Sequence, residues 1–337
     1  MTTTPTTPDS PLDTLDRKIL WLLDRDGRAS INAIAKTLRR SQQLISYRVN
    51  RLRQRGFIKN GITLINFHLI GTWSFRLYLR LRHIETNDEQ ALCSHLQKRP
   101  DVLWFVQLSG DWDYEVVFRL KSYVAFASVW KEIQSKFGSF YERVDISMTT
   151  VTYHFGRDYL VAKQRDTFAI AQFGNVNEIV PLSQIDQDIL SYLARDCRIS
   201  TSALQKKLRC GHTKLQERLH FLESQGVIQG YRVPPNVALL GRHYIKVLMK
   251  LNFESAESED ALYRFIARYP QVTYLSEVLG SWQFEIECEV VEQNEVMDML
   301  RSVRRSFPQL VKDYALVEVT KEFVLNYGAK NTKELVA

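Results

Sequence analysis

Apolar residues between Leu12 and about Asn60 recur every three or four positions: Leu15, Ile19, Leu22 and Leu23, then Ile31, Ile34 and Leu38, then Ile45, Val49 and Leu52. That spacing lays one apolar stripe along each of three short helices. Gly27 and Ser30 punctuate the first break, and Ser41 offers an oxygen to cap the third helix. Three short helices, the last two joined by a tight turn, predict a helix-turn-helix, and FIKNGITLI suits a short strand leading out. After Thr72 the pattern changes to period two. SFRLYLRLR, VLWFVQLSG, DYEVVFRL and ERVDISMTTVTYHF read as strands, with helices in NDEQALCSHLQKRP and SYVAFASVWKEIQSKF. The order β-α-β-β-α-β is that of a ferredoxin-like split unit.

The whole pattern then repeats. A shift of 170 positions relates Asp16 to Asp186, Arg28 to Arg198, Arg48 to Arg218, Gly56 to Gly226, Gly110 to Gly280 and Trp112 to Trp282, among many others. Such a persistent offset marks a tandem duplication. The expected fold class is α+β: two copies of a winged-helix-like helix-turn-helix, each followed by a βαββαβ domain. The expected boundaries are 12–60 and 61–156 for the first copy, a linker at 157–181, then 182–230 and 231–328 for the second.

Composition narrows the class. The 337 residues are 45% hydrophobic and 25% charged, enough for packed cores, and the formal charge of +7 suits an anionic partner. Most of that charge belongs to the first copy: residues 12–60 hold twelve Lys/Arg against four Asp, whereas residues 182–230 hold seven against five acids. Cys93, Cys197, Cys210 and Cys288 form no CxxC pair, so they read as small buried hydrophobes with no metal site. The polar, Thr/Pro-rich start and the lack of any long apolar run predict a cytoplasmic protein.

The segments LDTLDRKILWLLDRDGRASINAIA and RVNRLRQRGFIKNGITLINFHLIG, with the LSGDWDY turn, resemble the Lrp/AsnC (leucine-responsive, feast/famine) regulator family over nearly the whole chain, twice. The resemblance implies an N-terminal DNA-binding domain and a C-terminal βαββαβ (RAM/AsnC-type) domain that dimerises and often binds amino acids. Family members usually carry one copy of each; this chain carries two.

The stretch from Arg39 to Gly56 holds six arginines and no acid. With Ile45, Val49 and Leu52 facing the core, Gln42, Gln43, Ser46, Tyr47, Asn50 and Arg51 are left to face a major groove, where glutamine matches adenine and arginine matches guanine. Arg39, Arg40, Arg48, Arg53 and Arg55 suit phosphates, and Ser41 at the start of the helix is counted with the DNA-binding residues. In the second copy Glu217 replaces Tyr47, and the remaining candidate readers are His212, Thr213, Lys214, Gln216 and Arg218. The expected partner is double-stranded DNA, bound mainly by the first copy.

Family members often bind effectors near the turn matched here by Gly110, Asp111, Trp112 and Asp113, where backbone N–H groups and carboxylates could take the two ends of an amino acid; Gly-Asp is also simply a good hairpin turn. The two sheets of one chain are expected to pair as an intramolecular pseudo-dimer, with homo-oligomers as a further step. Leu77, Leu79, Leu81 and Val247, Met249, Leu251 fit either that contact or packing on each domain's own helices.

Siroheme decarboxylases resemble the same family and also occur as fused pairs. Their chemistry calls for histidine, arginine and tyrosine converging on the sheet, and LWFVQLSG and TYLSEVLG show no such cluster. The seven histidines are scattered and no HExxH, nucleophile elbow or P-loop occurs. The expectation is therefore a sequence-specific regulator that is not an enzyme and uses no cofactor. A decarboxylase or a low-specificity DNA-organising protein stand as alternatives.

Overall fold

The computed structural model describes residues 12–163, 165, 170–174, 178–252 and 256–325. Each helical unit has three helices: α1 (Thr14–Arg25), α2 (Ile31–Leu38) and α3 (Gln42–Gln54), then α6 (Gln184–Arg195), α7 (Thr201–Leu208) and α8 (His212–Ser224). Side-chain oxygens of Asp13, Ser30 and Ser41 accept from backbone N–H groups in the first turns of α1, α2 and α3. Ile45, Val49 and Leu52 are buried against Ile19, Leu20, Leu23 and Ile34. The α2–α3 turn passes through Arg39 at φ 52° and the α7–α8 turn through Arg209 at φ 50°, the same left-handed corner in both copies.

The two helical units pair with each other. Strand β1 (Ile62–Ile65) runs antiparallel to β7 (Ile228–Arg232). Arg198 donates to the carbonyls of Gly27 (2.5 Å) and Ala29 (3.2 Å), and its repeat mate Arg28 donates to that of Ile199 (3.4 Å). At this junction a Cβ on Gly27 would stand 2.7 Å from the Arg232 backbone, so only glycine permits the approach.

The two βαββαβ units follow as expected. The first is β2 (Trp73–Leu81), α4 (Thr86–Lys98), β3 (Val102–Gly110), β4 (Tyr114–Leu120), α5 (Tyr123–Phe137) and β5 (Tyr141–His154). The second is β8 (His243–Leu251), α9 (Ala256–Ile266), β9 (Val272–Leu279), β10 (Phe284–Val290), α10 (Gln293–Ser306) and β11 (Val311–Leu325). The last strand of each copy is long enough to serve both. β5 pairs with β2 through its first half and with β9 through its second, while β11 does the same with β8 and β3. The strand order β2-β4-β3-β11-β8-β10-β9-β5, with β5 returning to β2, closes a ring of two opposed sheets.

That closure decides which face meets which. Leu77 and Leu79 pack with Leu92, Leu96, Phe126 and Ile133 under the first copy's own helices, and Val247, Met249 and Leu251 pack with Leu262, Ile266, Val296 and Met299 under the second's. The opposite strand faces therefore look inward. There Tyr78, Trp104, Val106, Leu248, Val278 and Val317 form one cluster, joined by the buried charges of Arg76, Glu115, Lys246, Glu285 and Glu287.

The segment expected as a linker is packed where it is described. Arg157, Asp158 and Arg165 are buried, and β6 (Ala171–Gly174) adds to the end of β5. The Arg165 guanidinium reaches Asp158 (3.0 Å) and the carbonyls of Gly156 (2.7 Å) and Val272 (2.9 Å).

Candidate ligand cavity

On α3, Gln42, Gln43, Tyr47 and Asn50 are exposed, as are Arg39, Arg40 and Ser41 at its approach; Ser46 is half-buried. Arg48 and Arg51 turn back: Arg48 pairs with Asp13 (2.5 Å) and Asp16 (3.2 Å), and Arg51 pairs with Asp16 (2.6 Å). Arg218 repeats the clamp on Asp186 (2.6 Å). These arginines hold the third helix of each unit to its first. His212, Thr213, Lys214 and Gln216 are exposed on α8.

The turn from Gly110 to Asp113 is drawn into the contact between copies. Gly110 has φ 113°, and a Cβ there would stand 2.8 Å from the Leu316 carbonyl of β11. Asp113 accepts from the Leu81 N–H (2.7 Å) and from Arg80 (3.0 Å), which pins the hairpin to β2. Trp112 is buried with Arg143 over its ring at 4.3 Å, and Asp111 is exposed.

Sequence reading did not anticipate a cavity of about 640 Å³ between the helical units and the barrel, within the range of small-molecule sites. Lys59 and Asn60 from the first helical unit and the loop from Pro234 to Ala238 after the second form one side; β2, β3, β5, β8, β9, β10 and β11 contribute the other. Its walls carry His68, His154, Arg157, Arg242, His243, Tyr244 and Tyr274.

His154, the last residue of β5, lies between the rings of Phe173 (4.2 Å) and Tyr274 (4.9 Å). It is 3% exposed, and neither ring nitrogen has a hydrogen-bond partner among the described residues. Burial, with Arg232 and Arg157 nearby, holds it well below the usual histidine range, so it is neutral. Burial also lowers His68, to about 4. Arg157 is fixed by Asp24 of α1 (2.8 Å) and Glu289 of β10 (2.6 Å), and Arg232 of β7 also bonds Asp24 (2.8 Å). The Tyr159 hydroxyl donates to Glu289 and stacks under the Arg242 guanidinium at 3.8 Å. The Tyr244 hydroxyl donates to Glu287; burial, then Glu287, pushes that phenol far above its usual range.

The cavity therefore offers neutral imidazoles, phenols, several cations and the carboxylates of Glu287, Glu289, Glu318 and Glu322 beside an apolar stretch of wall. Lys59, Arg242 and Lys321 suit anionic substituents of a ligand, and Trp104, Phe67 and Phe173 suit its flat apolar body. Among the described residues no cluster of His, Cys, Asp and Glu could hold a metal ion, and no helix is long and apolar enough to cross a membrane.

A family model described as winged helix-turn-helix DNA-binding matches residues 12–59. The transcriptional regulator FL11 of Pyrococcus horikoshii is 29% identical over 112 residues, 33% of this chain and 73% of that protein. The leucine-responsive regulatory protein of Escherichia coli K12 is 27% identical over 149 residues, 42% of this chain and 88% of that protein. The chain carries a winged helix-turn-helix domain related to the Lrp/AsnC family.

Two solved structures of the siroheme decarboxylase NirDL extend the likeness beyond that Lrp/AsnC-related unit. One, in complex with an iron-uroporphyrin III analogue, superposes with a TM-score of 0.63 at 13% identity, covering 96% of each chain. The other has a TM-score of 0.62 at 15% identity, covering 96% of this chain and 98% of that one. The duplicated Lrp/AsnC-like fold is thus shared end to end with a decarboxylase.

This corrects the expectation that the chain is not an enzyme. The search for a histidine, arginine and tyrosine cluster had looked along β3 and β9. The structure assembles it from the end of β5, the start of β8, the residue at 157 and the loop near 242. A signal was present in EIECEV: Glu285, Glu287 and Glu289 alternate onto one face of a strand that is buried throughout. Three inward carboxylates demand buried cations, and Arg76, Lys246 and Arg157 supply them.

Proposed function

We propose that the chain binds an iron tetrapyrrole of the siroheme class in this cavity and removes carboxylate groups from it as CO2. The observation that carries the reading is His154, buried and without a hydrogen-bond partner among the described residues, on the wall of a cavity that also gathers Tyr244, Arg242 and Arg157. The full-length likeness in fold to siroheme decarboxylase supports the same reading.

The chemistry fits the residues. Decarboxylation breaks a C–C bond, releases CO2 and leaves an electron pair on carbon that must receive a proton. Lys59, Arg242 and Lys321 would fix the ligand's carboxylates, while the apolar stretch of wall at Phe67, Trp104 and Phe173 would disfavour a charged group facing it. Neutral His154 and the Tyr244 hydroxyl would exchange that proton with the ligand. The test is anaerobic incubation with siroheme followed by mass analysis: the reading expects a shifted absorbance on binding and products lighter by one CO2 per group removed. An unchanged mass and spectrum refute it.

A second reading, which can coexist with the first, is DNA binding by the first helical unit. It is favoured by the exposed Arg39, Arg40, Gln42, Gln43 and Asn50 around α3, a face with no acid, and by the DNA-binding family model on residues 12–59. A regulator would also use the cavity, with its ligand as effector. Fluorescence anisotropy on a duplex from the chain's own upstream region and on a shuffled duplex separates sequence-specific binding from phosphate attraction.

A further inference from the structure

Between the two sheets, next to the cavity, five charged side chains are packed together, of which only Arg76 and Glu287 keep slight exposure, 6% each. Arg76 Nη1 lies 2.9 Å from Glu115 and 2.9 Å from Glu285. Lys246 Nζ contacts Glu115 and lies 3.2 Å from Glu285. Both carboxylates thus share both cations. Glu287 stands 3.7 Å from Lys246 and 3.9 Å from Arg76, and the Tyr78 hydroxyl donates to Glu285 (2.8 Å). Glu115, Glu285 and Lys246 are fully buried.

The charges do not balance. Two cations face three carboxylates in a low-dielectric interior, and an uncompensated buried charge is expensive enough that the group takes up a proton instead. Glu115 is the carboxyl pushed toward taking it. Burial pushes its carboxyl up, and Glu285 and Glu287 of β10 push the same way, so Lys246 of β8 and Arg76 of β2 do not restore it. Burial works on Glu285 too, but Arg76, Lys246 and the Tyr78 hydroxyl hold that carboxyl below its usual range. The duplication makes the imbalance: Glu115 and Glu285 are repeat mates, as are Arg76 and Lys246, whereas Glu287 corresponds to Val117.

The cluster also has an exit. Arg76, Glu287 and Tyr244 line the cavity, and Tyr244 donates its hydroxyl hydrogen bond to Glu287. We propose that Arg76, Glu115, Lys246, Glu285 and Glu287 store one exchangeable proton inside the barrel and deliver it through Tyr244 to the molecule bound in the cavity. The proposal rests on the decarboxylase reading for its acceptor. As CO2 departs, the electron pair left on the ligand carbon takes the Tyr244 proton and a C–H bond forms. Lys246 passes a proton to the Glu287 carboxylate, which hands it on to the phenolate, and Glu115 gives up the stored proton to restore Lys246. The cluster is left one proton poorer until water refills it through the cavity.

The test combines infrared spectroscopy of the whole chain with turnover of siroheme. At neutral pH the wild type should show a carboxylic-acid C=O band that Glu115→Gln removes. Glu115→Gln should also lose roughly 10²-fold in turnover, the usual scale for a proton donor. The reservoir is filled below the Glu115 pKa and empties above it, so wild-type turnover should fall as pH rises through that value, and Glu115→Gln should lack this limb. Tyr244→Phe, which cuts the exit and leaves the cluster intact, should keep the band and lose turnover; it keeps the test open should Glu115→Gln fail to fold. A wild type without the band overturns the reservoir whatever its turnover, and so does Glu115→Gln with unchanged turnover and pH profile. A wild type that shows the band but does not convert siroheme removes the decarboxylase reading and the delivery step with it.

Discussion

Asp24 is the residue whose loss should be felt furthest. It is fully buried at the end of α1 and accepts from Arg232 (2.8 Å to each oxygen), from Arg157 Nη1 (2.8 Å) and from the Arg157 N–H (3.0 Å). Burial alone would raise its carboxyl; Arg232 and Arg157 more than offset that and hold it below the usual range. Asp24→Asn keeps the shape and removes the charge that the buried Arg232 and Arg157 guanidinium groups share, leaving Glu289 as the carboxylate against Arg157. Breaking a buried pair in this way costs about 3–5 kcal/mol. At about 2 °C per kcal/mol for a chain of this size, the melting temperature should fall by roughly 6–10 °C. Urea and thermal unfolding followed by circular dichroism measure it, with Asp298→Asn on the exposed face of α10 as a control that should change stability by less than about 0.5 kcal/mol. Siroheme affinity should fall too, because Arg157 loses one of the two acids that hold it at the cavity wall. A loss below about 1 kcal/mol would refute the claim that this cluster ties the first helical unit, the segment after β5 and the second sheet together.

Stability should drop as pH falls below about 6.5, because His68 and His154 are buried neutral while their unfolded counterparts take up protons; each contributes a slope of roughly 1.4 kcal/mol per pH unit until its folded pKa is reached, about 4 for His68. Denaturant titrations at several pH values check this, and His68→Gln should remove one histidine's share of the slope. Gly27→Ala forces a methyl group to within 2.7 Å of the Arg232 backbone and should cost about 1–3 kcal/mol, read by the same titration. Replacing Arg39 and Arg40 by alanine should weaken DNA binding and flatten its salt dependence by about two in log–log slope, whereas Arg209→Ala in the second copy should change little; equal losses from both copies would contradict the charge asymmetry.

The duplication, the helix-turn-helix units and the βαββαβ order were legible because each rests on local periodicity and on turn residues close in sequence. Ser30 and Ser41 cap the helices the spacing predicts, and Ile45, Val49 and Leu52 are buried together. The pairing of the two copies was partly legible: Leu77 and Val247 fitted two packings equally, and only the closing of β5 onto β9 and β11 onto β3 decides between them. The cavity was not legible. Arg157 and His154 are near neighbours in sequence, but Asp24 and Glu289 lie 133 and 132 positions from Arg157, and Tyr274 lies 120 from His154. Arg48 and Arg51 carry a contact the sequence pattern does not show: both pair with Asp16, a buried carboxylate on α1, two helices earlier in the chain.

The most direct test of the account is siroheme added without oxygen to the purified chain, followed by absorbance and product mass together. The account predicts a saturable spectral change, products lighter by whole CO2 units, and loss of turnover in His154→Ala and Tyr244→Phe. Siroheme that neither changes its spectrum nor loses mass in the presence of the wild-type chain would contradict it and leave the cavity to another ligand.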